Sequence, residues 1–140
     1  MKRNICIIFL NLLFIHLVAQ APDTTWSRTF GGEFEEEGRC IQQTSDGGYI
    51  VTGITLSFGA GDYDIWLIKT DADGNSVWSK TFGGINSDKG YSVLQTSDNG
   101  FIILGTTNSS GEGNNDIWMI KQILQVTHYG LKLLADLTQI

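Results

Sequence analysis

Residues 26–69 and 78–121 align without a gap at an offset of 52, and 23 of the 44 aligned positions are identical. Most of the differences keep chemical character, as in Arg28/Lys80, Ile41/Val93, Tyr49/Phe101 and Leu67/Met119. The chain is therefore one supersecondary unit written about twice, with a twofold repeat over 25–121 (units 26–77 and 78–121). A period of this size points to a solenoid, a propeller or an array.

Turn residues divide each period into short strands. The first strand runs from about Gly38 to Thr44, with Gly90 to Thr96 as its second copy. Ser45-Asp46-Gly47-Gly48 and Ser97-Asp98-Asn99-Gly100 follow, and Asp-Gly or Asn-Gly marks a tight hairpin because the turn needs positive φ. The second strand is Tyr49 to Thr55, matched by Phe101 to Thr107, and its β-branched and aromatic content suits a pleated sheet. Gly53 and Gly105 fall mid-strand, where glycine marks a bulge or a close neighbour. A longer connection, 57–63, leads into the third strand, Asp64 to Lys69, repeated as Asp116 to Lys121. The turn Asp71-Ala72-Asp73-Gly74-Asn75 then feeds a fourth strand, Ser76 to Phe82. Hairpins in series make a meander and leave no room for helices.

The third strand sets how the sheets pack. Its side chains alternate, so Ile65 and Leu67 point to one face while Trp66 and Ile68 point to the other. Both faces are apolar, unlike a sheet with one wet side. A four-stranded sheet covered on both faces by its own copies is a propeller blade. The predicted fold class is all-β, with about two four-stranded antiparallel propeller-type blades. Trp66, Trp78 and Trp118 are expected between blades, where each indole buries on the order of 150–250 Å².

Three spaced motifs, Asp-Gly-Gly-Tyr-Ile-Val-Thr-Gly (46–53), Asp-Ile-Trp-Leu-Ile-Lys-Thr-Asp-x-x-Gly-Asn (64–75) and Trp-Ser-Lys-Thr-Phe-Gly-Gly (78–84), resemble the bacterial secreted β-propeller repeats of the SBBP and delta-60 kind. The resemblance covers about 26–121. It implies an extracellular, non-catalytic scaffold or adhesion role of the sort found in surface proteins of Bacteroidetes. Relatives often carry more blades, which implies that this chain is part of a larger propeller. Asp71-x-x-Gly74-x-x-x-Trp78 is also similar to the tryptophan-docking motif of quinoprotein propellers, a structural likeness that carries no quinone binding with it.

The N-terminus reads as an export signal. Lys2 and Arg3 precede an apolar run from Ile5 to Val18, broken by Asn11 and His16, and small residues follow at Ala19 and Ala21. This is the layout of a secretory signal peptide over 1–20, with cleavage before or after Gln20, since Pro22 hinders a cut after Ala21. The run falls short of the roughly 20 residues of a membrane span, so a secreted or cell-surface protein with no stable span after cleavage is expected. Cys6 stands at the front of the run, which disfavours a lipoprotein.

Charge and composition exclude several functions. The net charge is −6, and removing residues 1–20 takes two cations and no acid, leaving 7 Lys plus Arg against 15 Asp plus Glu, or −8. Such a surface repels phosphate backbones, so no nucleic-acid partner is expected. With Cys6 gone, Cys40 stands alone and no internal disulfide can form. Ser92 occupies the matching place in the second copy, so Cys40 reads as a small strand residue and not as a nucleophile.

Catalytic constellations are missing. The mature chain has a single histidine, His128, outside the repeat, and no Gly-x-Ser-x-Gly elbow. One His and one Cys fall short of a zinc site. Glu33, Glu35, Glu36 and Glu37 form a run read as solvated loop charge, and against Ile85, Asn86, Ser87, Asp88 and Lys89 only the Glu36/Asp88 pair keeps an acid. Asp71-x-Asp73-x-Asn75 imitates a calcium loop, but Ser76 and Phe82 stand where an EF-hand needs Gly and Glu. The recurring Gly59-x-Gly61-x-x-Asp64 and Gly111-x-Gly113-x-x-Asp116 are read as turn and strand-entry residues. No catalytic, cofactor or metal residue is assigned.

After Lys121 the pattern stops. A third unit would put Asp, Gly and Trp at 123, 126 and 130, where Ile123, Val126 and Gly130 stand. The tail 122–140 is read as a short helix over 131–137 capping a blade, or as sequence of a truncated gene product. Open blade faces predict self-association. The expected function is a binding or scaffold module for an unidentified protein or glycan. The alternative is an accessory, non-catalytic part of a secreted polysaccharide-degrading enzyme.

Overall fold

The Asp-Gly and Asn-Gly turns close where their composition dictates. In the computed structural model, which describes residues 25–123, the Gly47 N–H donates to Thr44 O and the Thr44 N–H to Gly48 O, both at 2.9 Å. Gly47 takes φ of 83°, and Asn99 takes 60° in the second copy, where the same two bonds recur between Thr96, Asn99 and Gly100. Glycine enters this left-handed region freely, and Asn is one of the few other residues found there. The turn 71–75 is built alike, with Gly74 at φ 75°.

Seven strands result: β1 Glu36–Gln43, β2 Tyr49–Thr55, β3 Asp64–Thr70, β4 Ser76–Phe82, β5 Asp88–Gln95, β6 Phe101–Thr107 and β7 Asp116–Gln122. They form two antiparallel meanders, β1-β2-β3-β4 and β5-β6-β7, and no helix occurs among the described residues. The fold is all-β. The registers repeat at the sequence offset, so that Thr52↔Leu67 becomes Leu104↔Met119 and Gly53↔Trp66 becomes Gly105↔Trp118. The mid-strand glycines sit against bulges: the register slips between Gly38 and Cys40 opposite Gly53, and between Gly90 and Ser92 opposite Gly105. A Cβ added at Gly53 would lie 1.9 Å from the Glu37 carbonyl oxygen, which is why no larger residue fits.

One feature differs from the sequence reading. The second sheet has three strands among the described residues instead of four. A fourth, at the offset of β4, would fall at 128–134, which lies outside them, as do the signal segment 1–20 and most of the tail. The fourth strand, Ser76–Phe82, closes the first sheet as read, so the line drawn between the repeat units at 77/78 falls inside a strand.

The second sheet lies on one face of the first, with β5 across β1, β2 and β3. The core between them is Ile50, Ile65 and Leu67 from the first sheet and Val93, Phe101 and Ile103 from the second, bordered by Cys40, Trp78, Phe82, Trp118 and Ile120. Each such buried side chain contributes about 1.5–3 kcal/mol. Two polar contacts tie the edge of the interface: the Gln95 N–H donates to Gln42 Oε1, and the Ser45 N–H to Gln95 Oε1, both at 2.8 Å. Trp78 and Trp118 therefore stand between the layers as expected. Trp66 does not. It points to the face away from the second sheet and packs on Phe58, ring centroids 5.1 Å apart, because it sits one residue off Ile65 and Leu67 on an alternating strand.

Candidate functional site

The acid kept in both copies turns out to be a clamp. Glu36 and Asp88 open β1 and β5, and each carboxylate reaches back over the Gly-Gly pair before it. The Gly32 N–H donates to Glu36 Oε2 at 3.1 Å, and the Gly84 N–H to Asp88 Oδ2 at 2.9 Å. The Thr55 hydroxyl completes Glu36 at 3.1 Å, and the Ser109 hydroxyl completes Asp88 at 2.6 Å. The Ser57 hydroxyl, with the Gly32 N–H and the Thr55 hydroxyl, holds the Glu36 carboxyl below the usual range. For Asp88, burial pushes upward, but the hydroxyls of Ser109 and Thr107 and the Gly84 N–H prevail and the net shift is downward. The solvated-loop reading thus fails for Glu36, which is half-buried, and its counterpart Asp88 is buried. The signal was present in the sequence: Gly31-Gly32, Thr55 and Ser57 all recur at the offset, together with the one retained acid.

Asp64 lies beside this clamp. Its Oδ2 accepts the Ala60 N–H at 2.6 Å, and a Cβ on Gly83 would meet both Asp64 Oδ1 and Asp88 Oδ2 within 3 Å. Burial, together with the neighbouring Asp88 carboxylate, raises the Asp64 pKa. Two carboxyls pushed in opposite directions is a pattern of acid–base sites. Both are buried, with Gly83 packed close against them. The equivalent Asp116 has a buried Oδ2 without a hydrogen-bond partner, as has Asp88 Oδ1.

The turn that imitates a calcium loop satisfies itself. Asp71 Oδ1 accepts the N–H groups of Asp73 and Asn75 at 3.0 and 2.8 Å, and Oδ2 accepts the Asn75 side-chain amide at 3.0 Å. No cluster of three or more His, Cys, Asp or Glu side chains suited to a metal occurs among the described residues. The turn feeds β4, whose Trp78 packs on Phe101 of the second sheet, centroids 5.9 Å apart and planes at 59°. Cys40 is half-buried with Sγ 3.9 Å from the Val93 carbonyl, a packing position.

A second recurring pair was not read from the sequence. Lys69 reaches across the hairpin to Asp46 at 2.9 Å, and Lys121 reaches Asp98 at 2.6 Å. The Thr44 hydroxyl and Lys69 hold Asp46 at a pKa of about 2. Lys121, then Thr96, lower Asp98 likewise. Lys69 is buried while Lys121 is exposed.

Two apolar clefts lie on the outer face of the first sheet. A cleft of about 170 Å³ is lined by Phe30, Val51, Trp66 and Ile68. It continues past Phe30 into a second, of about 140 Å³, among Trp26, Ile41 and Tyr49. Trp26 lies on Tyr49 with centroids 5.8 Å apart and planes at 59°, the Trp78–Phe101 contact displaced by one period. Glu36 and Glu37 also line the first cleft. No helix long and apolar enough to cross a membrane is found among the described residues. The chain matches no protein-family model and none of the curated proteins.

Proposed function

We propose that this chain is an exported, non-catalytic binding or scaffold module built from propeller-type blades, displayed at the cell surface or secreted. The observation that carries the reading is the repetition of one packing contact at the sequence offset: Trp26 on Tyr49 and Trp78 on Phe101, with the same spacing and tilt. Repeats of this kind present faces and loops for binding. The buried carboxylates serve their own turns, and the single histidine of the mature chain lies outside the repeat. The layout of residues 1–20 supports export. Expression of the whole chain in a bacterial host tests this: mature protein beginning near Gln20 or Ala21 is expected in the exported fraction, with an Ile8→Arg/Phe9→Arg variant retained as precursor. An uncleaved cytosolic wild-type chain contradicts export. Turnover of a polysaccharide or peptide substrate that survives repurification contradicts the non-catalytic role.

A further inference from the structure

The interface between the two sheets shows what kind of surface fits the faces left open. Ile65 and Leu67 are both 0% exposed because the second sheet lies on them. Their counterparts Ile117 and Met119 occupy the same strand positions of the second sheet and are 82% and 71% exposed among the described residues. With Leu94 and Leu104 they form one continuous apolar face, since Leu104 pairs Met119 in register and lies on the same side as Leu94. At the other end of the molecule, Ile41 is 62% exposed, whereas its counterpart Val93 is 1% exposed within the inter-sheet core. One end thus shows the surface that the first sheet offers to the second, and the other end shows the surface that the second offers to the first.

The edge of β7 is open in the same sense. β3 pairs with β4 through Ile65↔Phe82, Trp66↔Thr81 and Lys69↔Trp78, but β7 has no partner on that edge among the described residues. Residues 26–30, Trp-Ser-Arg-Thr-Phe, repeat the β4 sequence Trp-Ser-Lys-Thr-Phe and belong to neither sheet. An unpaired edge beside an uncovered apolar face is a template for a further strand and layer.

We propose that a second copy of this chain docks head to tail on the second sheet, continuing the 52-residue offset across the interface. Residues 26–30 of the second copy pair with β7, Phe30 opposite Ile117 and Trp26 opposite Lys121. The outer face of its first sheet, including Ile41 and Tyr49, covers Leu94, Leu104, Ile117 and Met119. The contact is heterologous, so it propagates into a closed ring or an open fibre according to the rotation per copy. The inference rests on the stacking of the two sheets and is independent of export.

The test uses the mature full-length chain in size-exclusion chromatography with light scattering across a wide dilution range. Wild type is expected to assemble beyond the monomer as concentration rises. Met119→Glu and Ile41→Glu each change an exposed side chain at opposite ends, and each is expected to abolish assembly while keeping the β-sheet circular dichroism of wild type. Mixing the two variants is expected to restore a one-to-one dimer and nothing larger, because each retains one intact end. A wild type that stays monomeric at every concentration overturns the proposal, as it would if residues 124–140 of the same chain covered the face. Assembly that survives either substitution overturns it as well. So does a mixture that stays monomeric.

Discussion

Ile65 and Ile117 share a sequence context, Asp-Ile-Trp, and a register position, each on the third strand of its sheet, yet one is fully buried and the other stands in solvent. Lys69 and Lys121 differ in the same direction. Local sequence fixes which way a side chain points on a strand, and the order of layers fixes whether anything covers it. The difference between the two sheets is therefore a difference of neighbours, which substitutions at paired positions expose directly.

The largest contrast is expected between Leu67→Ala and Met119→Ala. Leu67 is enclosed by the second sheet, so its truncation leaves a cavity and costs about 2–5 kcal/mol. Met119→Ala, measured where the chain is monomeric, changes stability by no more than about 0.5 kcal/mol. Urea unfolding of both variants gives the two numbers. Equal costs would break the comparison.

Next come the two ion pairs. Asp46→Ala leaves the buried Lys69 ammonium with Thr70 O at 2.8 Å as its remaining partner, an expected loss of about 1–3 kcal/mol. Asp98→Ala removes an exposed pair and is expected to cost less than Asp46→Ala. Both acids have depressed pKa values, so their contribution is complete above the unfolded carboxylate value of about 3.9 and is lost as pH falls toward the folded value. For Asp46 that folded value is about 2. Asp46→Asn and Asp98→Asn are each expected to flatten the acid side of the stability profile.

A smaller effect separates the hairpin turns. Gly47→Ala places a Cβ at φ 83° and is expected to cost about 1 kcal/mol. Asn99→Gly, at φ 60°, is expected to shift stability by only a few tenths of a kcal/mol. Thermal unfolding of the two variants orders them.

The smallest expected effect carries the opposite sign. Asp64 has a raised pKa, so its contribution is complete below the unfolded value and is lost as pH rises through the folded one. Asp64→Asn, which keeps an acceptor for the Ala60 N–H, should gain on wild type above pH of about 4. A urea midpoint that falls in the variant at neutral pH would contradict this.

The strands and turns were legible because they depend on near neighbours. Asp-Gly and Asn-Gly place the hairpins, alternation separates Ile65 and Leu67 from Trp66 and Ile68, and the mid-strand glycines announce the bulges opposite them. The fourth strand was legible as well, since the turn 71–75 folds Ser76–Phe82 back along β3. Trp66 was misplaced because identical indoles in one period look alike until the covered face is known. The Glu36 clamp was hidden in a run of acids, where charge suggests solvent; the hydroxyl partners of the two clamps, Thr55 and Ser109, lie some twenty residues away in the sequence.

The most direct test of the stacked-sheet account is thiol labelling of single cysteines placed at 65, 67, 117 and 119 in a Cys40→Ser background, on the dilute mature chain. The account predicts rapid labelling at 117 and 119, and at 65 and 67 protection that yields only when the protein unfolds. Comparable rates at both pairs, or protection at 117 and 119 with reaction at 65 and 67, would contradict it.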